Sequence, residues 1–254
     1  MVLTGVLPAH AEDREFCADR PGLTTPPCTL APGSAIIEIG GTGWEHSRDA
    51  ATIEDDVTLG DALLRLGIAD SAEVQIGLTS HVTQRSRDRA SGAVTRFRGA
   101  GDGVIALRRG LAGPNGPVAA MAFVTLPTGE PPIGAGRVEA GVLLPATISL
   151  PGDFELDLTP ELDLAANSAR GGRHPRWGGA AGVSRPFGEH LTLVGEFAAF
   201  RDEDSGAHVT DARVAGSLAW QAGKRFQLDV ELDLGLAKGA PDRAIMLGFA
   251  RRFD

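Results

Sequence analysis

Two stretches of the chain carry a carboxylate at nearly every second position. Residues 154–164 read FELDLTPELDL, and residues 225–237 read RFQLDVELDLGLA. Paired carboxylates can serve as the acid and base of a glycoside hydrolase, or they can line a polar passage. Leucine, valine and phenylalanine fill most of the alternate positions, and this regularity favours the passage.

Arginines at comparable positions of other segments could balance these carboxylates. Like charges on neighbouring strands repel, so the carboxylates should lie near arginines or water. Two interpretations stay open if the strands enclose a barrel. The charges could form a polarised pore that selects solutes, or a salt-bridged network that closes the interior of the barrel, its lumen. The predicted lumen-lining residues are Glu155, Asp157, Glu161, Asp163, Asp229, Glu231, Asp233, Arg65, Arg85, Arg108, Arg213 and Arg252.

Other chemistry finds little support. There is no G-x-S-x-G elbow, and Ser80 and His81 would face opposite ways on a strand. The stretch GAGDG at 99–103 does not precede a helix, as a phosphate loop would require. We therefore expect no enzymatic activity, no metal and no cofactor. The histidines that lack zinc-ligand spacing are His46, His81, His174, His190 and His208.

The alternation itself predicts strands with one apolar face. Twelve such segments follow one another from residue 34 onward. Links such as ADS, PNG, PGD and GEH are short; longer polar stretches lie near 47–55, 86–102, 129–136, 169–175 and 203–210. Short turns at one end and long loops at the other are typical of bacterial outer-membrane barrels. We predict an all-β, antiparallel, up-and-down transmembrane β-barrel of about twelve strands over residues 34–254.

Strand length favours lipid over a protein core as the partner of the apolar faces. Many segments run ten residues or more, close to the 9–11 residues that a tilted strand needs to cross a bilayer. Strands of soluble sandwiches usually have about five or six residues. The absence of tyrosine and an aromatic content of 5% argue the other way, because aromatic girdles usually mark both interfaces. A soluble exported β protein that binds a lipophilic ligand therefore stays open. The net charge of −9 argues against a nucleic-acid partner.

The first 33 residues do not share the alternation. Ala9-His10-Ala11 resembles a cleavage site, so residues 1–11 are predicted to be the remnant of a signal peptide, although a positive n-region is missing and a frayed terminus is the alternative. Residues 12–33 form a predicted periplasmic segment that could fold toward the barrel mouth or into it. In an exported chain, Cys17 and Cys28 are expected to form a disulfide; unpaired buried thiols are the alternative.

Four motifs in sequence order resemble a known family. They are CADRPGLTTPPCTLAPGSAIIEIGGT with Glu38 in the first strand, LLRLGIADSAEVQIGL at 63–78, VTLPTG at 124–129 and QLDVELDLGLAKGAPD at 227–242. Together they resemble the proteobacterial outer-membrane transporter family named for the meta-pathway of phenol degradation. The resemblance runs from about residue 16 to the end of the chain.

The resemblance implies a channel or transporter in the outer membrane of a Gram-negative cell, with passive passage of small solutes, including aromatic or hydrophobic compounds. A closed structural or ligand-binding barrel with a charge-plugged lumen is the alternative. The expected partners are outer-membrane lipids, lipopolysaccharide and a small solute of unknown identity, and the expected state is a monomer. The basic loop at 86–102 could contact lipopolysaccharide phosphates, or it could be a solvated loop.

Overall fold

The computed structural model describes residues 14–168, 171–204, 206 and 208–254. The predicted signal-peptide remnant at 1–11 lies outside the described residues. No helix long and apolar enough to span a bilayer occurs in the described part of the chain. The described strands are β1 (Ala35–Arg48), β2 (Thr52–Ala69), β3 (Ala72–Asp88), β4 (Val94–Gly99), β5 (Gly103–Gly110), β6 (Ala119–Leu126), β7 (Glu139–Leu143), β8 (Ala146–Leu150), β9 (Phe154–Ala166), β10 (Arg173–Phe187), β11 (Leu191–Asp202), β12 (Val209–Gln221), β13 (Phe226–Gly235) and β14 (Arg243–Phe253).

These strands form one closed antiparallel barrel. Apart from β4–β5 and β7–β8, strands that follow one another in the chain pair with each other, and β1 pairs with β14 from Ala35 opposite Phe253 onward, which closes the sheet. Two positions in the barrel are each filled by two short strands: β4 and β5 both pair with β3, and β7 and β8 both pair with β9. The described strands therefore make twelve positions around the barrel, which confirms the predicted fold class. The pairing of β1 with β14 removes the two edges that an open sheet would expose to lipid.

The apolar parity lies outside the barrel and the charged parity lies inside. On β13 the side chain of Leu232 is 55% exposed, whereas the next residue, Asp233, is 1% exposed. β9 repeats this pattern, with Leu162 and Leu164 exposed and Asp163 buried between them. A soluble protein would do the opposite, so the outer surface is built for lipid tails.

An irregular row interrupts the alternation on one side of the barrel, at Gly41, Gly60, Ser80 and Gly101. Gly60 has a φ of +64°, a left-handed conformation that glycine adopts without steric cost. We call the short-turn side of the row 'below' and the long-loop side 'above'. Below the row, Asp61 and Thr79 face the lumen, and above it Asp56 and Gln84 face the lumen. The parity of β2 and β3 has therefore shifted by one residue, and above the row the odd-numbered residues face outward.

The prediction of long loops at 47–55 and 86–102 is wrong, because most of these residues belong to strands. Most of 47–55 belongs to β1 and β2, and most of 86–102 belongs to the end of β3 and to β4. These strands extend beyond the apolar belt, where both faces are polar and the sequence shows no alternation. Asp49 closes the first hairpin by accepting hydrogen bonds from the backbone N–H groups of Ala51 and Thr52 at 2.7 and 2.6 Å, and these bonds lower the pKa of its carboxyl group.

Candidate functional site

Residues 14–33 lie inside the barrel, and we call them the lumen segment. They cross from the wall made by β1, β2, β3 and β5 to the wall made by β9 and β11, then return to the start of β1. Cys17 and Cys28 form the predicted disulfide and hold the two arms of this excursion together. The backbone N–H and C=O groups of such an irregular segment have no sheet partners, so the barrel wall must supply their hydrogen-bond partners.

Two fully buried arginines anchor the near arm. Arg108 binds the carboxylate of Asp19 with both terminal nitrogens, at 2.9 and 2.6 Å, and Arg65 reaches the same carboxylate at 2.8 Å. Arg65 also binds Glu73 through Nε and Nη2, at 2.9 and 3.1 Å. Burial raises the pKa of Asp19, but Arg108 and Arg65 outweigh that effect and hold it below its usual value. The ionised Asp19 thus connects the lumen segment to β2 through Arg65 and to β5 through Arg108.

Backbone groups of the near arm are held as firmly as its side chains. Glu38, only 1% exposed, accepts hydrogen bonds from the N–H groups of Asp19 and Arg20, each at 2.9 Å. Arg65 donates to the carbonyl of Cys17 at 2.8 Å, and Leu30 N–H donates to Glu73 at 2.9 Å. Both arms of the lumen segment therefore bind the same cluster of wall residues.

Glu196 on β11 holds the tip of the lumen segment at the far wall. Its carboxylate accepts hydrogen bonds from Leu23 N–H at 3.0 Å, from Thr24 N–H at 2.8 Å and from the Thr24 hydroxyl at 2.6 Å. Gly22 N–H donates to Glu231 at 2.8 Å. Gly22 has a φ of +120°, and a Cβ there would stand 2.5 Å from a Glu196 oxygen, so only glycine fits between these two carboxylates.

A cavity of about 410 Å³ lies inside the barrel beside the lumen segment. Its lining includes Arg20 of the segment, Pro132 and Ile133 of the loop between β6 and β7, and three carboxylates. Those carboxylates belong to Glu45, Asp56 and Asp61. Charged and polar groups around a space of this size suit a small solute or ions with their water.

The structure brings eleven of the twelve predicted residues to the inner face of the barrel. Asp229 binds Arg20 at 3.1 Å, Glu231 binds the backbone of Gly22, and Arg252 donates to the carbonyl of Arg14. The remaining eight are Arg65 and Arg108, described above, Asp233 near Arg213 at 3.7 Å, and Glu155, Asp157, Glu161 and Asp163 along β9. Arg176 balances Asp163 at 2.8 Å and Glu161 at 3.5 Å.

Arg85 is the exception, because it lies on the outer face. It binds Asp55 at 3.3 Å, on the face opposite to Asp56 and Gln84 that line the cavity. The prediction assumed one unbroken alternation along β3. The irregular row at Ser80 shifts the parity and turns Arg85 outward.

Sequence reasoning missed most residues that hold the lumen segment. Glu38, Glu73 and Glu196 accept hydrogen bonds from its backbone N–H groups. Within the segment, Asp19 N–H donates to Glu38 and the Arg20 side chain donates to Asp229. Glu38 and Glu196 each stand alone among apolar or small residues, in AIIEIGG and LTLVGEFAAF. A lone inward charge in such a strand is a usable signal, since it must find a partner inside the barrel.

Fold and site together define an outer-membrane β-barrel whose lumen holds its own N-terminal segment. The chain belongs to the family described as Putative MetA-pathway of phenol degradation, whose model matches residues 18–253. This result confirms the resemblance drawn from the four motifs. No curated protein matches the chain in sequence.

Solved structures of similar fold are outer-membrane barrels. An outer membrane channel from Pseudomonas putida F1 aligns with a TM-score of 0.68 at 14% identity, over 89% of this chain and 98% of that one. The β domain of a Bordetella autotransporter aligns with a TM-score of 0.57 at 11% identity, over 87% and 100%. The NanC porin aligns with a TM-score of 0.50 at 10% identity, over 85% and 98%. The barrel and its outward apolar belt place the protein in the outer membrane of a Gram-negative cell.

Proposed function

We propose that the protein is an outer-membrane channel for the passive passage of small solutes, with the lumen segment as its narrowest part. The observation that carries this proposal is the cavity of about 410 Å³ beside Arg20, inside the barrel, with Glu45, Asp56 and Asp61 in its lining. The fold neighbours named above, a channel, a porin and an autotransporter domain, support transport rather than catalysis. One chain encloses the whole lumen, so a monomer suffices.

A closed barrel with a structural or binding role is the second candidate. The contacts of the lumen segment with both walls favour it, because hydrogen bonds at Glu38, Glu73 and Glu196 must break before the segment can leave. Recording from the purified protein in planar bilayers separates the two candidates. The channel proposal predicts a small, steady conductance; no current at any voltage would favour the closed barrel.

Ion selectivity tests whether the cavity lies on the path. Glu45, Asp56 and Asp61 outnumber Arg20 among its charged lining residues, so cations should be preferred. Asp56→Asn with Asp61→Asn should shift the reversal potential in a KCl gradient toward zero. Glu189→Gln, in the exposed turn after β10, is the matched control and should leave it unchanged. An unchanged reversal potential in the double variant would place the path elsewhere.

The cavity and the family description support a proposal for the solute class. A cavity of this volume has room for one aromatic ring with a few substituents, since an apolar cavity of about 150 Å³ holds benzene. We propose small aromatic solutes, with preference for a positive or neutral charge. Liposomes that carry the protein should take up phenyltrimethylammonium faster than benzenesulfonate. Equal rates, or a faster sulfonate, would contradict this preference.

A further inference from the structure

A group of arginines on the outer face marks the long-loop end of the barrel, and we call it the outer basic patch. It consists of Arg85 and Arg87 on β3, Arg96 and Arg98 on β4, and Arg243 at the start of β14. Four of these side chains are exposed, and that of Arg85 is 36% exposed. The cavity and the lumen segment do not involve them.

The irregular row is the reason why these side chains point outward. Above Ser80 the odd-numbered residues of β3 share a face with Asp55, opposite to the lumen-facing Asp56 and Gln84. In the β3–β4 pair, Arg85 lies directly opposite Arg96, and Thr83 lies opposite Arg98. Directly paired residues share a face, so β4 presents its arginines to the outside as well.

The height of the patch matches the edge of the apolar belt. On β3 the outward apolar residues begin at Val74, and Arg85 follows eleven residues later. At about 3.3 Å per residue this is roughly 36 Å along the strand, or about 28 Å of height for a tilt of about 40°. An apolar belt is about 25 Å tall, so the patch stands at the level of the lipid headgroups.

An aromatic residue lies at the same level on β1, the strand that pairs with β14. The guanidinium of Arg243 lies 5.3 Å from the ring centre of Trp44, which pairs with Val57 on β2. Tryptophan is enriched where the hydrocarbon region meets the headgroups. The patch and Trp44 therefore belong to one interface band.

Among the residues that the structure describes, the patch has too few acidic partners. Asp55 is shared between Arg85 at 3.3 Å and His46 at 2.8 Å. Within the described part of the chain, Arg87, Arg96 and Arg98 have no ion pair. Arg85 and Arg96 directly oppose each other, an arrangement that is unfavourable unless an anion lies between them. Arg89 is different, because it donates to the carbonyl of Asp49 and so ties two hairpin tips together.

We propose that the outer basic patch binds the phosphate groups of lipopolysaccharide in the outer leaflet. Arginine forms bidentate hydrogen bonds to phosphate, and several arginines at headgroup height can engage phosphates of one lipid whose acyl chains lie on the belt below. Short turns of such barrels face the periplasm and long loops face the exterior, so the patch is on the leaflet that carries this lipid. The proposal does not depend on the channel function.

Binding of lipid A to the purified, folded protein tests this directly. Detergent-solubilised wild type is titrated with bisphosphorylated lipid A, with lipid A whose phosphates have been removed, and with phosphatidylglycerol. We expect bisphosphorylated lipid A to bind most tightly, and Arg96→Gln with Arg98→Gln to weaken it by about tenfold or more, as the loss of charged hydrogen bonds predicts. Arg109→Gln with Arg251→Gln is the matched control, because both arginines are exposed on the outer face at the opposite end.

Three results would overturn the proposal. They are equal binding of the two lipid A forms, an Arg96/Arg98 variant that binds like wild type, and competition by millimolar inorganic phosphate that abolishes binding, which would indicate a simple anion site. Should the double variant fail to fold, Arg87→Gln, at an exposed position, gives a second test. A loss of affinity in this variant would support the proposal, and wild-type affinity would count against it.

Discussion

At the scale of single residues, the lumen is a network of charges whose members depend on one another. Arg108 and Arg65 are fully buried, and between them they form ion pairs with Asp19, Glu73 and Glu38. Removal of one member of a buried pair leaves the other charge without compensation, which costs more than the pair itself contributes. The network therefore fixes the position of the lumen segment more than it adds stability.

A pair of adjacent arginines tests this reading. Arg108→Met leaves Asp19 with Arg65 as its one remaining arginine, and we expect a loss of about 3 kcal/mol in the free energy of unfolding. Arg109→Met, at the neighbouring exposed outward position, should change it by less than about 0.5 kcal/mol. Urea unfolding of the two variants in lipid vesicles measures the difference. Equal midpoints would show that loss of a buried arginine costs no more stability than loss of an exposed one.

At the scale of elements, the irregular row decides which side chains of β2, β3 and β4 face the lumen. Gly60 takes a left-handed conformation, and a Cβ there would lie 2.5 Å from the Ser80 hydroxyl oxygen. The row thus depends on a residue without a side chain at this point. Without the shift, Arg85 would face the lumen and Asp56 would face outward.

Substitution of Gly60 should be costly for these two reasons. Gly60→Ala is expected to lower the free energy of unfolding by about 1–2 kcal/mol, from the left-handed backbone and the contact with Ser80. Gly216→Ala on β12 is the control, because its backbone is ordinary and a Cβ there would meet nothing within 4 Å. A Gly60→Ala protein as stable as the control variant would mean that the row does not need glycine.

At the scale of the whole molecule, lipid is the solvent that organises the barrel. Leu232 lies within β13 on the outer face, while Leu236 lies just beyond the end of that strand, and both are more than half exposed. A cation on the outer face costs most at the bilayer midplane and little near the interface. The cost of the same substitution should therefore depend on height.

Two lysine variants measure this dependence. Leu232→Lys should lower the free energy of unfolding in vesicles by about 2–4 kcal/mol, and Leu236→Lys by about 1 kcal/mol or less. Denaturant titration of both in the same lipid gives the comparison. If the two variants lost equal stability, the outer face would not be in contact with a bilayer of graded polarity.

The sequence alone could predict the barrel, because alternation is a local property that each strand displays by itself. FELDLTPELDL shows its inward and outward faces without reference to any neighbour. It could also place eleven charged side chains inside, since parity alone decides that. The orientation of Arg85 could not be predicted in this way, because it depends on a row of irregular residues that crosses β1, β2, β3 and the link between β4 and β5.

The sequence allowed residues 12–33 to enter the barrel, but the contacts that hold the lumen segment there could not be predicted for a related reason. Glu196 is 172 residues away from Thr24 in the chain, and nothing local indicates that one binds the other. Irregular backbone inside a barrel follows from complementary partners on several strands at once. The polar strand extensions at 47–55 and 86–102 were missed because strands outside the lipid have no apolar face to display.

The central claim is that the lumen segment limits the passage, and the conductance of a Glu196→Ala variant tests it most directly. This change removes the acceptor of three hydrogen bonds at the tip of the segment and leaves its anchors at Arg65 and Arg108 intact. In planar bilayers we predict a single-channel conductance at least about twofold above wild type, while Glu189→Ala, in an exposed turn, keeps the wild-type value. A folded Glu196→Ala protein with wild-type conductance would contradict the account.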